Sequence, residues 1–433
     1  MINRRSFLGS FAGAALLARA APPGTGRALP STPPPPAWPP AVFQDDETYW
    51  RTLRREFLIP ADEAFFNTGT LGSIPRVVLQ AIADDLSQVA GTIAHWDYKA
   101  GHPDFITGYN PETELRTALA ALIGASVDEV ALTQNATLGM NYVANGLPIE
   151  PGHEVIMTNL EHPGGRMGWE LKSKRYGIYV KQVTVPVPPA NPQQLVDLYV
   201  NASTPQTRVW SIPHLTSGQA VRFPVERMCA TARERGIFTV IDGAQCSGHF
   251  QLDMKKIGCD AYYSSPHKWL LAPAGSGFLY ITAERLPGVW ATLASATWDD
   301  YKAGAYRLMQ IGTGNRSLLK GYAAAIEFHN RIGPARVEAR IMALANRLRA
   351  GLGQIPQVTI HSPTHPELVS GTTVWSLAGY SGGELMDGLW SRAKVRCRSM
   401  GDPLGVRQCC HIYTLPEDVD RTLETVRQMI RRR

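Results

Sequence analysis

The stretch FTVIDGAQ (Phe238–Gln245), followed by AYYSSPHKWL (Ala261–Leu270), decides how this chain is read. An apolar, β-branched run that closes on an acid describes a buried strand with Asp242 at its end. A lysine set among Ser265, His267 and Trp269 comes two elements later. Alone, Asp242 reads equally well as a turn residue, since Asp-Gly is a common turn pair. Alone, Lys268 reads as a solvated lysine. Together, in one strand-rich region, they suit a pyridine ring held between an acid at its nitrogen and a Schiff-base lysine at its aldehyde carbon.

Working outward, apolar runs recur at 129–132, 154–160, 179–185, 207–213, 238–241, 261–264 and 277–281, separated by helix-like segments such as 225–236. This alternation predicts an α/β fold with a mostly parallel sheet covered on both faces. Ligands of such sheets sit at the carboxyl ends of strands. Thr137, His162, His214 and Asp242 all fall just past such ends. Beyond Gly314 the pattern becomes α+β, which predicts a smaller C-terminal domain. The expected organisation is an export signal (1–21), a proline-rich linker (22–44), an N-terminal segment (45–74), a large domain (75–317) and a small one (318–433).

The export signal is read from Arg4-Arg5, the apolar small-residue run to Leu17 and the Ala18-Arg19-Ala20 site. It matches the twin-arginine type, which carries folded, cofactor-loaded proteins, and predicts a periplasmic or secreted enzyme. The run is too short for stable membrane insertion. The formal charge of +6 includes Arg4, Arg5, Arg19 and Arg27 against no acid in the first 40 residues. The remaining excess gives no footprint for nucleic acid. Six cysteines lack zinc spacing, and no metal is expected. They are read as buried thiols, with a Cys397 bridge to Cys409 or Cys410 as the alternative.

Ser265, His267, Thr137 and the helix-opening amides around Ala136 are donors suited to a phosphate. His162 could stack on a pyridine face, and Gln245, one turn past Asp242, could reach the ring hydroxyl. Thr216 and Ser217 are weaker candidates for that contact. A dinucleotide-dependent oxidoreductase is disfavoured, because no GxGxxG opens a helix after a strand.

The combination Glu161-His162, Val240 to Gln245, Ser265 to Lys268 and Gly312-Thr313-Gly314-Asn315 resembles the class V aminotransferase family of fold-type I pyridoxal-phosphate enzymes, and spans Phe65 to the C-terminus. The resemblance implies a homodimer with pyridoxal phosphate on Lys268, Asp242 at the ring nitrogen, His162 stacked and Gln245 on the ring oxygen. Ala136, Thr137, Ser265 and His267 would hold the phosphate, with Thr313 arriving from the neighbouring subunit. Asn67 would line the substrate side. An arginine would bind the substrate carboxylate: Arg398 by register, with Arg407 competing.

The run Arg398-Ser399-Met400-Gly401 lacks the mobile cysteine of cysteine desulfurases, and Cys409 and Cys410 sit too far on. Phe66 to Gly72 and His411 to Thr414 look closest to the isopenicillin N epimerase-like branch. The expected activity is Schiff-base chemistry at Cα or Cβ of an amino-acid or peptide-like substrate, with transfer, epimerisation, decarboxylation and lysis open. A non-catalytic binding protein on the same fold is the remaining alternative.

Overall fold

The structure is a computed structural model, and it describes residues 46–95 and 110–431. The expected export signal and linker lie outside the described residues. Among those described, no helix is long and apolar enough to cross a membrane.

The chain opens with α1 (Asp46–Arg54), β1 (Ala64–Phe65), α2 (Arg76–Thr92) and α3 (Thr113–Ile123). The central region alternates: β2 (Val130–Thr133), α4 (Ala136–Gly146), β3 (Glu154–Thr158), α5 (Pro163–Tyr176), β4 (Tyr179–Val183), α6 (Pro192–Ala202), β5 (Thr207–Pro213), α7 (Val225–Glu234), β6 (Phe238–Asp242), α8 (Met254–Ile257), β7 (Ala261–Ser264) and β8 (Gly277–Ile281). These strands form one seven-stranded sheet in the order β2-β8-β7-β6-β5-β3-β4. Every neighbouring pair from β7 to β4 is parallel, and only β8 runs against its neighbours. The α/β class with a mostly parallel central sheet is therefore as expected.

The strands form because their residues are apolar on both faces. Val240, Ile241, Ala261, Tyr262 and Tyr263 are fully buried between helices, and continuous burial of this kind marks a covered parallel sheet. From β3 the chain adds β4 outward and β5 to β8 inward, so strand order reverses between β3 and β5, and the loops after β3, β5, β6 and β7 line a crevice at the carboxyl ends.

The C-terminal part holds α9 (Arg316–Ile332), α10 (Pro334–Gly353), β9 (Val358–Ile360), β10 (Thr372–Leu377), α11 (Gly382–Ala393), β11 (Val395–Arg396), β12 (Arg398–Gly401), β13 (Gly405–Cys409) and α12 (Pro416–Arg431). Here β12-β13-β10-β9 make an antiparallel sheet, while β11 pairs in parallel with β1. The second core unites Ala64 and Phe66 with Leu344, Trp375, Val395 and Val419.

Two local differences from the sequence reading follow. The boundary expected at 318 falls inside α9, because that helix buries Tyr322, Ala325 and Ile326 in the core of the large sheet. The single strand expected over 395–398 divides at Cys397: its first half pairs with β1 and its second with β13.

Close backbone approach fixes the turn after β6. A Cβ on Gly243 would stand 2.0 Å from the Tyr262 ring, which is buried and unable to yield. Gly243→Ala is accordingly expected to destabilise the fold by about 1–3 kcal/mol, the cost of overpacking, read as a lowered Tm in thermal unfolding.

Candidate active site

Asp242 ends β6 in the middle of the sheet and is 8% exposed. Its Oδ1 accepts from the Ala244 amide at 2.9 Å, and its carbonyl accepts from the His214 amide at 2.8 Å. Burial raises its pKa, and the Ala244 amide and Lys268 pull against that rise. Oδ2 makes no hydrogen bond among the described residues and faces the start of α5. A Cβ on Gly165 would come within 2.6 Å of it, so glycine is what lets the helix approach.

Lys268 lies in the loop after β7, half-buried, in the same cleft as Asp242, His162 and Gln245. It makes no ion pair among the described residues. Its amine is lowered to about 8, chiefly by burial, with Arg407 and Arg398 adding to the drop and Asp242 opposing it. The loop itself is held from far away in sequence. Gly72 donates to the His267 carbonyl at 2.9 Å, and a Cβ on Gly72 would stand 2.1 Å from Lys268 O.

His162 caps α5: its Nδ1 accepts from the Gly164 amide at 3.0 Å, which places the proton of the neutral ring on Nε2. Burial lowers its pKa, and the charges of Lys268, Arg398 and Arg407 lower it further. The ring therefore stays neutral near pH 7.

The phosphate candidates gather at the N-terminus of α4. The Ala136 amide donates to Ser265 Oγ at 3.0 Å, Asn135 caps the Leu138 amide at 3.0 Å, and the Thr137 side chain is exposed toward the Gly164 turn. A helix N-terminus with a free hydroxyl and unspent amides suits a phosphate dianion. His267 is half-buried and its Nδ1 lies 3.1 Å from the Ser276 carbonyl, which must accept. Burial and Lys268 lower its pKa, so the neutral ring presents Nε2 as an acceptor. His267 can donate to a phosphate only as imidazolium, a form that the phosphate charge itself would favour.

Three expected residues sit differently from their simple reading. Gln245 is already engaged: Nε2 donates to the Gly69 carbonyl at 2.9 Å, and Oε1 accepts from Trp269 Nε1 at 2.8 Å. One amide hydrogen remains for a ring oxygen. Thr313 is exposed on a loop that lines a separate cavity with Thr133, Leu138 and Tyr142, outside the Lys268 cleft of its own chain. Arg398, favoured by register, is the more exposed of the two arginines.

Arg407 is 2% exposed. Its Nη1 donates to Ser217 O at 2.8 Å, and its Nη2 to Thr70 Oγ1 at 2.9 Å and Asn67 Oδ1 at 3.2 Å, while Nε is buried with no partner. Arg398 reaches the same Thr70 Oγ1 at 3.2 Å.

Sequence reasoning passed over Thr70, Gly72 and Glu161 as site residues. Glu161 is buried beside Asp242, takes the Thr158 hydroxyl on Oε1 at 3.2 Å, and leaves Oε2 unpaired. Burial, then the Asp242 charge, push its pKa well up, so it is a neutral acid. Its place next to His162 was the only available signal. The six cysteines are all free and buried, which corrects the alternative of a Cys397 bridge. Cys409 Sγ is packed against the Gly69 backbone and accepts from Thr372 Oγ1 at 3.5 Å.

The donor set fits pyridoxal phosphate: an unspent buried carboxylate oxygen and an amine of lowered basicity share one cleft, and the α4 terminus meets the Gly164 turn next to His162 of that cleft. Because the amine must be neutral to attack an aldehyde, uptake of the cofactor by apoprotein is expected to quicken with pH up to a midpoint near 8. Arg407→Leu removes a charge that holds the value down and moves the midpoint upward. A midpoint near the free-lysine value of about 10.4 in the intact protein would contradict the burial of Lys268.

Comparison with known proteins agrees with this geometry. The chain is 31% identical over 397 residues to isopenicillin N epimerase of Streptomyces clavuligerus, covering 87% of this chain and 97% of that protein. Among solved structures it resembles a cysteine desulfurase of Escherichia coli, with a TM-score of 0.76 at 21% identity over 90% of this chain and 99% of that one. It also resembles a cystine C–S lyase solved with glycine covalently linked to its pyridoxal-phosphate cofactor, with a TM-score of 0.76 at 24% identity over 86% and 98% of the two chains. The model of the class V aminotransferases matches residues 65–422. A strand-end acid, a loop lysine of lowered basicity and a helix-terminal anion cradle thus belong to a pyridoxal-phosphate-dependent enzyme, and the chain is a member of the aminotransferase class-V family.

Proposed function

We propose that this enzyme moves a proton at Cα of an amino-acid group, in the manner of the epimerase relatives, and that Lys268 is both the attachment point of the cofactor and the base. The observation that carries this reading is the Lys268–Asp242 pair in one cleft, with an amine near 8. Bound pyridoxal phosphate supplies an electron sink for charge that develops at the substrate Cα. Asp242 Oδ2 would be the partner of the ring nitrogen, His162 would lie beside the ring, and the last Gln245 amide hydrogen would be the donor for the ring oxygen. Ala136, Thr137, Ser265 and a protonated His267 would hold the phosphate.

Arg407, rather than the register-favoured Arg398, takes the substrate carboxylate. It is buried next to the cleft and carries an unsatisfied Nε, and its fork is fixed by Asn67, Thr70 and Ser217. Persulfide chemistry is disfavoured because every cysteine is buried, and burial raises the thiol of Cys397 to about 12.

A homodimer is part of the proposal. Thr313 is exposed and outside its own cleft, and Trp290, Leu293 and Ile311 expose large apolar surfaces on the preceding segment. The twin-arginine sequence supports export of the folded, loaded dimer to the periplasm or beyond.

Purified enzyme is expected to show a visible cofactor band and to exchange solvent deuterium into Cα of its substrate. Lys268→Ala should abolish the exchange, and an intact exchange rate in that variant would remove Lys268 as the base. Arg407→Ala should weaken substrate binding by about 1.5–3 kcal/mol, the worth of a charge-assisted contact, and Arg398→Ala by less. The opposite ranking in a spectral titration would restore Arg398.

A further inference from the structure

Glu161 is anchored through one oxygen. Its Oε1 accepts the Thr158 hydroxyl at 3.2 Å and the Thr158 amide at 3.4 Å, so the proton of the neutral acid lies on Oε2. Oε2 is buried and has no hydrogen-bond partner among the described residues. A buried O–H with nothing to receive it bears the full cost of its desolvation. The carboxyl therefore calls for an acceptor on that side.

The sheet face under α5 holds further groups in the same condition. Pro213 pairs with Asp242 and Asp242 with Tyr263, while Ser211 precedes Pro213 by two residues on β5, so Ser211, Asp242 and Tyr263 share one face. Gly165 of α5 covers that face: a Cβ there would stand 2.6 Å from Asp242 Oδ2 and 3.4 Å from the Tyr263 hydroxyl. The Tyr263 hydroxyl and Ser211 Oγ are fully buried and, like Glu161 Oε2, unpartnered among the described residues. Trp169, one turn past Gly165 on α5, buries its indole N–H in the same way. The titratable and charged groups facing Glu161 are Asp242 on β6, Tyr199 on α6, Tyr263 on β7 and Arg166 on α5. Asp242 also faces Lys268, Cys246 and Tyr262.

Buried polar atoms gathered on one side of a carboxylate are an arrangement for ordered water. A tyrosine hydroxyl has a single hydrogen. Where Glu161 donates, that hydrogen is free for the charge on Asp242; an ionised Glu161 would compete for it. We propose that buried water lies between Glu161 Oε2, the Tyr263 hydroxyl and Ser211 Oγ, and that Glu161 and Tyr263 are positioning residues: Glu161 donates inward, and Tyr263 turns its hydrogen toward Asp242 Oδ2. The role toward Asp242 rests on the reading of that residue as the partner of the cofactor nitrogen.

Three readouts on the holoenzyme test this. A high-resolution crystal structure is expected to show water within hydrogen-bond reach of Glu161 Oε2 and the Tyr263 hydroxyl, and a dry site there overturns the proposal. Infrared spectra near pH 7 are expected to contain the C=O stretch of a protonated carboxyl that disappears in Glu161→Gln; absence of that difference overturns it too. Titration of the cofactor's visible band with pH separates positioning from packing. Tyr263→Phe keeps the ring but removes a donor, which makes Asp242 more basic and weakens the electron pull of the cofactor ring. The midpoint should rise by about half a unit, the scale of one hydrogen bond. Glu161→Gln keeps a neutral donor and should leave the midpoint in place. A downward shift in that variant marks the loss of a negative charge and overturns the inference, as does an unmoved midpoint in Tyr263→Phe. A wild-type enzyme without a visible band overturns the reading of the cofactor site instead, and with it the role toward Asp242.

Discussion

A carboxylate at the end of the central strand of a covered sheet is the constraint on which the site depends. Removing such a charge from water costs about several kcal/mol after relaxation, and one amide from Ala244 does not offset that. The carboxylate therefore calls for a cation at Oδ2. Lys268, on the loop after the neighbouring strand, supplies part of the positive field, and a protonated pyridine nitrogen would supply the rest. Glu161 shows the same constraint from behind. Two ionised carboxyls are unfavourable in that interior, and burial together with the Asp242 charge pushes the Glu161 carboxyl well above the usual carboxylate range. Gly165 completes the arrangement by bringing the start of α5 against Oδ2 with no side chain between.

How much of this was legible in the sequence follows from how local each signal is. Asp242, Lys268, His162 and Ser265 sit at strand ends, and strand ends follow from apolar runs that neighbours in sequence define. The α/β class followed from the same runs. Arg398 and Arg407 were both visible, but their order was not. It depends on the β12–β13 register, which shifts between Ser399 and Gly401, and on contacts to Asn67 and Ser217 from remote parts of the chain. Gln245 was found, while its partners Gly69 and Trp269 lie on two other loops. Gly72 had no readable signal, because only the fold brings its amide to His267.

The buried Arg407 guanidinium and the buried cysteines share a lesson about what the interior tolerates. Cys409 and Cys410 were read as buried thiols, with a bridge from one of them to Cys397 as the alternative, and against persulfide chemistry on position. Both sit at or next to β13, where Cys409 packs on Gly69 and the Cys410 amide donates to Gly371 O. Their burial stabilises the strand that carries Arg407. Thiols there serve as small apolar side chains, and the charge is left to the guanidiniums.

The two sheets are locked to each other at the residue that follows the lysine. His249 stacks on Trp269 with ring centres 3.7 Å apart, accepts from the Gly371 amide on Nε2 at 2.8 Å, and donates from Nδ1 to Gln245 O at 3.0 Å. Only the neutral Nδ1–H tautomer satisfies both bonds, and burial keeps the ring neutral. His411 adds a donor to Trp269 O at 2.9 Å from the end of β13. The amine of Lys268 and the guanidinium of Arg407 are thereby set at a fixed separation, although they come from different sheets. On the proposed reading, a substrate would reach Lys268 with its amine and Arg407 with its carboxylate at once. The His249–Trp269–His411 bridge would make that two-point grip a property of the folded chain, holding one Cα in reach of one base.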